Sequence, residues 1–428
     1  MTADGVSALR GAAAQWLPLA SLFAGTGILL VGIGLFFTAL GLRAGLAEFS
    51  TAATGVVMSA YFVGFVAGTY ICPALIRRVG HIRAFAAMAS IASTTAIVHA
   101  MIVDPWVWGL LRFATGVCLV GLYIVIESWL NTVAPNRYRG RIFSAYVALT
   151  LVAMGLGQFL VLAGDVLGFV PLGLVSILLS LALVPVALTR TREPQPVDAP
   201  HLGLRHLYGV SGIATVGAFA SGMLNGAFYG LGAVFAQRIG LSEAATAAFV
   251  AATIFGGALL QWPLGHWSDR HDRRRVLLAA CAGAALLAVA ARFAMEVAPA
   301  LLIVAAFFYG GLVFSVYGLS VALVNDRLHA DQVLEATSGL LLLHGLGAAL
   351  GPTLAGLVMS VFAPGALLAY FAAVLAAVLA YGLWRGREAE VPAEKSPFMP
   401  MASSSHAVLA LDPRAHEAPP ENEEPANR

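Results

Sequence analysis

The chain of 428 residues is 60% hydrophobic and only 11% charged, and its mean hydropathy is strongly positive. A water-soluble domain of this length cannot bury so much apolar surface, so the composition excludes an ordinary soluble protein. The formal net charge of +2 is close to neutral and gives no indication of a nucleic-acid partner. The three cysteines lie inside apolar runs, at spacings that fit neither a disulfide framework nor a metal site. We therefore expect a membrane protein without a cofactor.

Twelve apolar segments follow one another along the chain. A transmembrane helix needs about 20 apolar residues to cross the hydrocarbon core of a bilayer. Lipid offers no partner for backbone groups, and the residue alternation of a β-barrel is absent, so the segments are predicted to be helices. The first segment is too long for the core of a signal peptide and is expected to be retained. The predicted spans are 16–40, 50–74, 84–103, 105–131, 140–163, 168–189, 208–232, 244–264, 276–295, 299–324, 336–361 and 364–384.

The arginines indicate how these spans are oriented. The connections after the even-numbered spans are rich in arginine, whereas the opposite connections contain only Arg43 and Arg238, with Arg292 added if the ninth span ends early. The positive-inside rule therefore predicts that both termini and the mid-chain connection lie in the cytoplasm. The arginines of the even-numbered connections are Arg77, Arg78, Arg83, Arg137, Arg139, Arg141, Arg190, Arg192, Arg205, Arg270, Arg273, Arg274, Arg275 and Arg327.

Changes in composition divide the chain into regions. The longest connection between spans lies near the middle and contains three prolines, so it is predicted to link two six-helix bundles. Beyond the last span the composition changes to Pro, Ser, Glu and Asn, which is typical of a disordered tail. The predicted regions are a cytoplasmic N-terminus at 1–15, bundles at 16–189 and 208–384, a cytoplasmic linker at 190–207, and a cytoplasmic tail at 385–428.

The two predicted bundles repeat each other. At an offset of 194 residues, Gly116, Tyr123 and Gly157 align with Gly310, Tyr317 and Gly351, and at an offset of 192 residues Gly64 aligns with Gly256. Parallel duplication of this kind is typical of transporters in which the substrate binds between the halves near the bilayer midplane. The expected fold is therefore all-α, with 12 transmembrane helices in two pseudo-symmetric bundles.

A charged connection follows the eighth span. Its characteristic residues are Gly265, Asp269, Arg270, Arg273 and Arg274. Glycine lets two helices approach, a carboxylate can face the positive end of a helix, and arginines can pair with acids or lipid phosphates. The segment resembles the Gly-x-x-x-Asp-Arg-x-Gly-Arg-Arg loop of the major facilitator superfamily, with Asp272 in place of the second glycine. The resemblance implies a gating loop that closes the cytoplasmic side in one state. The alternative is an ordinary arginine-containing turn, and the first-half counterpart has Arg77 where the family has Asp.

The fourth predicted span has a polar stripe, because Arg112, Gly116, Tyr123 and Glu127 fall close to one helical face. An ionisable group inside a bilayer is costly enough to indicate a function. Arg112 with Gly116 resembles the family's Arg-x-x-x-Gly pattern, whose arginine faces the central cavity and is associated with proton coupling. Glu127 is the candidate proton carrier; the alternative is a helix-end carboxylate paired with arginines of the next connection.

Other polar side chains are candidates for the substrate cavity. Asn225 and Tyr229 follow Ser221 at steps of four in the seventh span, which places them on one helical face. The remaining candidates are Tyr123, Gln158, Gln261 and Tyr317. The alternative for each is a hydrogen bond between helices. The Gly-x-x-x-Gly-Pro pattern that the family's antiporters have in the fifth span occurs here in the eleventh, at Gly347, Gly351 and Pro352, and this weakens the case for export by proton antiport.

Over residues 16–384 the chain resembles a major facilitator superfamily transporter, and Glu127-Ser128 at the end of the fourth span resembles the bacterial YcaD-like branch. The resemblance implies alternating-access, proton-coupled transport of a small organic solute in the bacterial inner membrane, with Glu127 and Arg112 as coupling residues. Export is favoured because few charges line the route. The alternatives are a proton-coupled importer of a metabolite or sugar, and a non-transporting receptor or scaffold. We expect no enzymatic activity, no nucleic acid, and a monomer whose partners are its substrate, protons and membrane lipids.

Overall fold

The computed structural model describes residues 3–188, 203–328, 330–386 and 398, with the backbone alone for residues 3–17, 136, 330 and 331. The helices are α1 (Ala3–Leu46), α2 (Thr51–Val79), α3 (His81–Met101), α4 (Pro105–Val133), α5 (Arg139–Gly157), α6 (Val170–Leu181), α7 (Leu183–Leu188), α8 (Leu204–Val210), α9 (Gly212–Arg238), α10 (Glu243–Arg270), α11 (Arg273–Val297), α12 (Pro299–Asn325), α13 (Ala330–Val361) and α14 (Ala366–Trp384). Among these residues there is no strand, which confirms the all-α prediction.

Twelve candidate membrane spans are present in the described part of the chain, as predicted. The fifth, Arg139–Ala163, joins α5 to a 3₁₀ turn, the sixth, Val170–Leu188, joins α6 to α7, and the short α8 is not a span. Most of the predicted linker and tail lies outside the described residues. The predicted N-terminus at 1–15 overlaps α1, which is helical from Ala3.

Several spans extend further than their apolar pattern predicts, among them the first and the seventh. The first span continues to Leu46 rather than ending at residue 40, because the Arg43 guanidinium donates hydrogen bonds to the carbonyl oxygens of Ala100 and Gly168. The seventh continues to Arg238, whose guanidinium donates to the Phe49 carbonyl oxygen at 2.9 Å. A prediction from hydropathy ends the span at the first charged residue. The helix itself can continue, because a charged side chain that has hydrogen-bond partners is tolerated inside the protein.

Local sequence determines where several of these helices begin. The side chains of Ser50, Asp104, Ser211, Ser242 and Asp272 each accept a hydrogen bond from a backbone N–H in the first turn of α2, α4, α9, α10 and α11. Such N-caps satisfy amides that have no partner within the helix, and each typically contributes about 1 kcal/mol. Asp272, which differs from the family's glycine, therefore has a structural role at the start of α11.

The two bundles are built from the same close helix contacts. A methyl group added to any of four glycines would overlap a backbone carbonyl oxygen of a neighbouring helix. In the first bundle these pairs are Gly64 with Phe113 and Gly116 with Tyr61, and in the second they are Gly256 with Phe307 and Gly310 with Thr253. The offsets are again 192 residues from α2 to α10 and 194 from α4 to α12. This repetition confirms the prediction of two pseudo-symmetric bundles.

Two of the arginine-rich connections, those at Arg139 and Arg270, lie at a similar level of the molecule. The ring of Phe255 from α10 fills the space at Gly155 of α5. Gly155 follows Arg139 by 16 residues on α5, and Phe255 precedes Arg270 by 15 residues on α10. Since each residue of a helix rises about 1.5 Å, Arg139 and Arg270 lie at a similar level. We call this level the arginine-rich end.

The halves pack against each other towards the opposite end. The Thr353 hydroxyl and backbone N–H both donate to the Ser59 Oγ, at 2.8 and 3.1 Å. Gly55 lies against Pro352, again between α2 and α13. Nearer the arginine-rich end, Thr69 of α2 and Leu341 of α13 line a cavity. If the arginine-rich end is cytoplasmic, the structure is inward-facing.

Candidate functional site

A central cavity of about 160 Å³ lies between the two bundles. Helices α1, α2, α4 and α5 line it from the first half, and α9, α10, α12 and α13 line it from the second. Four of these helices are held in close pairs by the duplicated glycine contacts, α2 against α4 and α10 against α12. The position of the cavity is therefore a consequence of the repeat.

The lining is aromatic and uncharged. Ring centroids are 5.0 Å apart for Phe37 and Tyr61, 5.7 Å for Phe37 and Tyr229, and 5.8 Å for Tyr229 and Phe314, so rings from both halves are in contact. No Asp, Glu, Lys or Arg is present among the described lining residues. The aromatic lining residues are Phe37, Tyr61, Phe62, Phe65, Tyr123, Tyr229, Phe314 and Tyr317.

Most of the predicted cavity residues lie on this surface. The lining includes Tyr123, Asn225, Tyr229, Gln261 and Tyr317. Gln261 also donates to the Phe314 carbonyl oxygen at 3.3 Å, so its orientation is restrained by α12.

Gln158 is a predicted cavity residue that lies elsewhere. Its side chain is fully buried, and its amide nitrogen donates to the Met154 carbonyl oxygen at 2.8 Å. Its amide oxygen accepts a hydrogen bond from the Thr38 hydroxyl, which joins α1 to the fifth span. These contacts are those of a structural hydrogen bond between helices.

Two polar atoms of the cavity residues are buried without a partner. The Asn225 Oδ1 and the Tyr317 hydroxyl have no hydrogen bond to any residue that the structure describes. A buried polar group without a partner typically costs about 1–3 kcal/mol. Beside them, His344 Nδ1 lies 2.9 Å from the Ser221 Oγ, and its ring centroid is 4.8 Å from that of Tyr317. The free atoms of Asn225 and Tyr317 are therefore available to a bound molecule.

Arg112 lies next to the cavity but not on its surface. Its side chain is fully buried, and the central carbon of the guanidinium lies 4.4 Å from the ring centroid of Tyr61 and 4.6 Å from that of Phe37. Within the described part of the chain, none of its three nitrogens has a hydrogen-bond partner. Phe37 and Tyr61 themselves line the cavity. The positive charge is thus stabilised by aromatic rings that also face the cavity.

Glu127 is fully buried near the end of α4, and the Tyr146 hydroxyl of α5 donates to its Oε1 at 2.6 Å. Tyr123, one turn earlier on the same helix, lines the cavity. Arg112 is 15 residues before Glu127, a separation of about 22 Å along a helix axis. The two predicted coupling residues therefore lie on the same helix without direct contact.

The predicted gating-loop residues join helices within the second half. The Arg273 side chain is 1% exposed and contacts two acids, with its Nε 2.6 Å from Asp326 Oδ2 and an Nη atom 3.0 Å from Asp269 Oδ1. Arg274 donates to the Gly382 carbonyl oxygen of α14. Gly265 is buried on α10, whereas Arg270 is exposed at its end. The loop thus connects α10, α11, α12 and α14.

Three residues of this region were not identified from the sequence as functional. His344 of α13 lies on the cavity, where its Nδ1 is 2.9 Å from the Ser221 Oγ of the polar stripe on α9. For Asp326, the sequence indicates only that it follows the last turn of α12, and this does not reveal its ion pair with Arg273. Phe398 donates its backbone N–H to Asp269 at 2.9 Å, and no sequence pattern indicates this contact.

Sequence comparison shows which proteins this two-bundle chain is similar to. The family model of the Major Facilitator Superfamily matches residues 213–414. YcaD of Escherichia coli strain UMN026, an uncharacterised MFS-type transporter, is 27% identical over 361 residues, which are 83% of this chain and 93% of YcaD. YcaD of Escherichia coli strain HS matches to the same extent.

Solved structures show the same fold at lower identity. The nucleoside transporter NupG superposes with a TM-score of 0.70 at 15% identity, covering 87% of this chain and all of NupG. A bacterial homologue of the human lysosomal transporter Spinster, in an inward-facing and unoccupied conformation, superposes with a TM-score of 0.64 at 17% identity, covering 93% and 97%. The chain is thus similar to transporters of the major facilitator superfamily in sequence and in fold. The similarity to YcaD confirms the resemblance to the YcaD-like branch that the sequence predicted.

Proposed function

We propose that this protein transports a small organic solute by alternating access and couples the movement to protons, with export as the favoured direction. The observation that supports it most directly is the aromatic cavity between two repeated bundles that pack together towards one end only. A cavity at the interface of duplicated halves is the arrangement in which the halves can rock around a bound solute. NupG is a nucleoside transporter with this fold, and transport of a solute by the present chain agrees with that likeness.

Proton coupling is proposed for Glu127, with Arg112 as the second coupling residue. The carboxyl group of Glu127 is buried, it is one turn from a lining residue, and the hydroxyl of Tyr146 contacts it. A carboxyl group in such a position can gain or lose a proton as the cavity opens to one side or the other. Arg112 can affect the protonation of Glu127 through its charge. The rings of Phe37 and Tyr61, which lie against its guanidinium, also line the cavity.

Export is favoured because the cavity lining is largely apolar and includes no acid, lysine or arginine among the described residues, which suits amphipathic compounds. The expected membrane is the bacterial inner membrane, with the arginine-rich end in the cytoplasm. We propose that the gating loop stabilises the opposite, outward-facing state. The ion pairs of Arg273 with Asp269 and Asp326 stabilise the conformation of the loop. The exposed Arg270 can then bind an acceptor of the first half or a lipid phosphate.

The test is transport by purified protein in proteoliposomes. A panel of neutral, anionic and cationic small organic solutes is measured with and without an imposed pH gradient, and in both directions. We expect at least one solute to be accumulated with the gradient and only exchanged without it, and Glu127→Gln to abolish accumulation while exchange persists. Glu296→Gln, at an exposed ion pair with Arg292, is the matched control. Accumulation that ignores the gradient would remove the proton coupling, and an absence of any transport would favour a receptor or scaffold.

A further inference from the structure

The central cavity combines aromatic faces with polar side chains, among them Asn225, Tyr317 and His344. Eight of its lining residues have aromatic rings, and none of the described ones is an acid, a lysine or an arginine. A charged solute would lose its hydration there without meeting an opposite charge, which is strongly unfavourable. An uncharged ring would instead stack on the faces of residues such as Phe37 and Tyr229, in the offset or edge-to-face geometry that aromatic pairs prefer.

Polar atoms without a partner define where the edge of such a ring would bind. The Asn225 Oδ1 and the Tyr317 hydroxyl are buried and unpaired among the described residues, and they belong to α9 and α12 of the second half. A ligand with an N–H or O–H group satisfies the Asn225 oxygen, and the Tyr317 hydroxyl can donate to an acceptor of the same ligand. The cavity volume of about 160 Å³ is close to that of the engineered apolar cavity of about 150 Å³ that binds benzene.

We infer that the transported solute is an uncharged molecule built on a planar aromatic ring, with hydrogen-bonding groups on the edge of that ring. The inference rests on the proposed transport function. Arg112 does not change the expected charge, because Phe37 and Tyr61 cover its guanidinium and it is not a lining residue.

Four compounds of similar size separate the possibilities. Benzamide is neutral and aromatic, cyclohexanecarboxamide is neutral without a planar ring, benzoate is an anion, and benzamidine is a cation. Each is added in millimolar amounts to the purified full-length protein, and the melting temperature is recorded, because a ligand selective for the folded state raises it. We expect benzamide to raise it by about 2 °C or more, and the other three to have no such effect.

Variants locate the binding. Asn225→Ala and Tyr317→Phe are expected to reduce the benzamide shift at least twofold, whereas Tyr309→Phe, which removes another buried hydroxyl away from the cavity, leaves it unchanged. An equal or larger shift with benzoate, benzamidine or cyclohexanecarboxamide overturns the inference, as does no shift with benzamide. In proteoliposomes, accumulation of charged solutes alone overturns the solute class but leaves the transport function standing.

A separate observation concerns the C-terminal region, where Phe398 contacts the gating loop. Its backbone N–H donates to Asp269 Oδ1 at 2.9 Å, and the same Asp269 oxygen accepts from Arg273. Its ring fills the space beside Gly265, where a methyl group added to the glycine would overlap it. A methyl group added to Gly318 of α12 would lie 3.0 Å from the same ring. Phe398 is therefore seated between α10 and α12.

The seat of Phe398 lies directly beside the cavity. Gly265 is one turn beyond the lining residue Gln261 on α10, and Gly318 follows the lining residue Tyr317 on α12. Glycine at position 265 leaves a surface against which another element can pack closely. In this structure the halves pack towards the opposite end, and an aromatic side chain from beyond α14 occupies that surface.

The geometry points to Phe398 as an autoinhibitory contact that occupies the Gly265–Asp269 surface while the arginine-rich end is open. Closure of this end brings the first half towards the gating loop, so Phe398 must leave before the loop can engage. The contact is thus predicted to stabilise the conformation seen here and to slow its conversion.

Distance measurement between the halves tests this role. Spin labels are attached to Arg83→Cys of α3 and Arg275→Cys of α11, both exposed at the arginine-rich end, whereas the three native cysteines are buried. Phe398→Ala in the full-length protein is expected to increase the population of short distances at least threefold. Phe362→Ala, exposed beyond the opposite end of α13, is the control and should leave the distribution unchanged.

Two further results distinguish this role from a structural one. Phe398→Leu retains an apolar side chain and should give an intermediate distribution, and the melting temperature of Phe398→Ala should stay within about 1 °C of the parent. An unchanged distance distribution in Phe398→Ala overturns the proposal. So does a shift of the population towards longer distances.

Discussion

Glu127 of α4 and Tyr146 of α5 are joined by a hydrogen bond of 2.6 Å in the interior of the first bundle. Both side chains are almost completely buried, so the bond is shielded from competing water. A hydrogen bond to a carboxyl group in such surroundings positions the group as well as stabilising it. The contact therefore fixes the candidate proton carrier one turn away from the cavity residue Tyr123.

Tyr146→Phe should lower stability because it removes the hydroxyl that contacts Glu127. We expect a loss of about 1–3 kcal/mol in the free energy of unfolding, measured by thermal unfolding of the purified protein. Tyr309→Phe is the matched control, since the Tyr309 hydroxyl is buried without a partner among the described residues. An equal loss in the two variants would show that the Glu127 contact contributes nothing specific.

Arg273 is predicted to be the main stabilising residue of the gating loop. Arg273→Ala leaves Asp269 and Asp326 without their shared cation, and we expect a loss of about 2 kcal/mol or more in the free energy of unfolding. Arg275→Ala breaks only the ion pair with Asp272, in which both side chains are well exposed, so its effect should stay within about 0.5 kcal/mol. Thermal unfolding of both variants measures the difference. Similar losses in the two would contradict the buried network.

The duplicated glycines make a prediction about packing. Gly116→Ala and Gly310→Ala each place a methyl group against a backbone carbonyl of the adjacent helix, so each should destabilise the protein by about 1–3 kcal/mol. Gly109→Ala, on the same helix as Gly116, is the control, because no atom lies within 4 Å of its added methyl group. Because alanine has a higher helix propensity than glycine, Gly109→Ala should leave the stability unchanged or raise it. The melting temperatures of the three variants test this prediction. Equal melting temperatures would contradict the close packing at Gly116 and Gly310.

The helical framework was predictable from the sequence because hydropathy and arginine placement are properties of the chain itself. The stripe of Asn225 and Tyr229 was predictable from a spacing of four. Gln158 has the same chemistry, but its partner Thr38 lies 120 residues away, and no local pattern indicates that the pair exists.

The aromatic lining was not predictable for a related reason. Phe62, Phe65 and Phe314 have the same apolar character whether a helix turns them towards lipid or towards the other half, and only the packing of the bundles decides between these environments. Phe398 lies 129 residues from its partner Asp269, in a polar region without periodicity. A single aromatic residue in such a region gives no signal of a contact.

The arrangement across the membrane can be tested by labelling. Cysteines introduced at Arg141 and Arg275, which are exposed at the arginine-rich end, should react only with a reagent on the cytoplasmic side. Cysteines at Met101 and Phe362, which are exposed in the opposite direction, should react only from outside. The native cysteines Cys72, Cys118 and Cys281 are buried and give the background. Labelling of Arg141→Cys and Arg275→Cys from opposite sides would exclude the proposed topology.

Arg112 leads to a prediction in which stability and transport change in opposite directions. Its guanidinium is buried, it lies over the rings of Phe37 and Tyr61, and it has no hydrogen-bond partner in the part of the chain that the structure describes. Replacing a buried charge by an apolar side chain of similar length removes its desolvation penalty, which exceeds what the three cation–π contacts with Phe36, Phe37 and Tyr61 return. Arg112→Met should therefore raise the free energy of unfolding by about 1 kcal/mol while it abolishes transport driven by a pH gradient.

Arg43→Met provides the comparison for Arg112, because the Arg43 guanidinium donates hydrogen bonds to the carbonyl oxygens of Ala100, Val166 and Gly168. Its removal takes the donor away from three carbonyl oxygens that are buried or part-buried, so we expect a loss of about 2 kcal/mol or more. Thermal unfolding and transport in proteoliposomes are measured on both variants. Destabilisation of Arg112→Met to the same extent as Arg43→Met would show that the Arg112 charge serves the fold. A stabilised Arg112→Met that still accumulates solute with a pH gradient would remove Arg112 from the coupling mechanism.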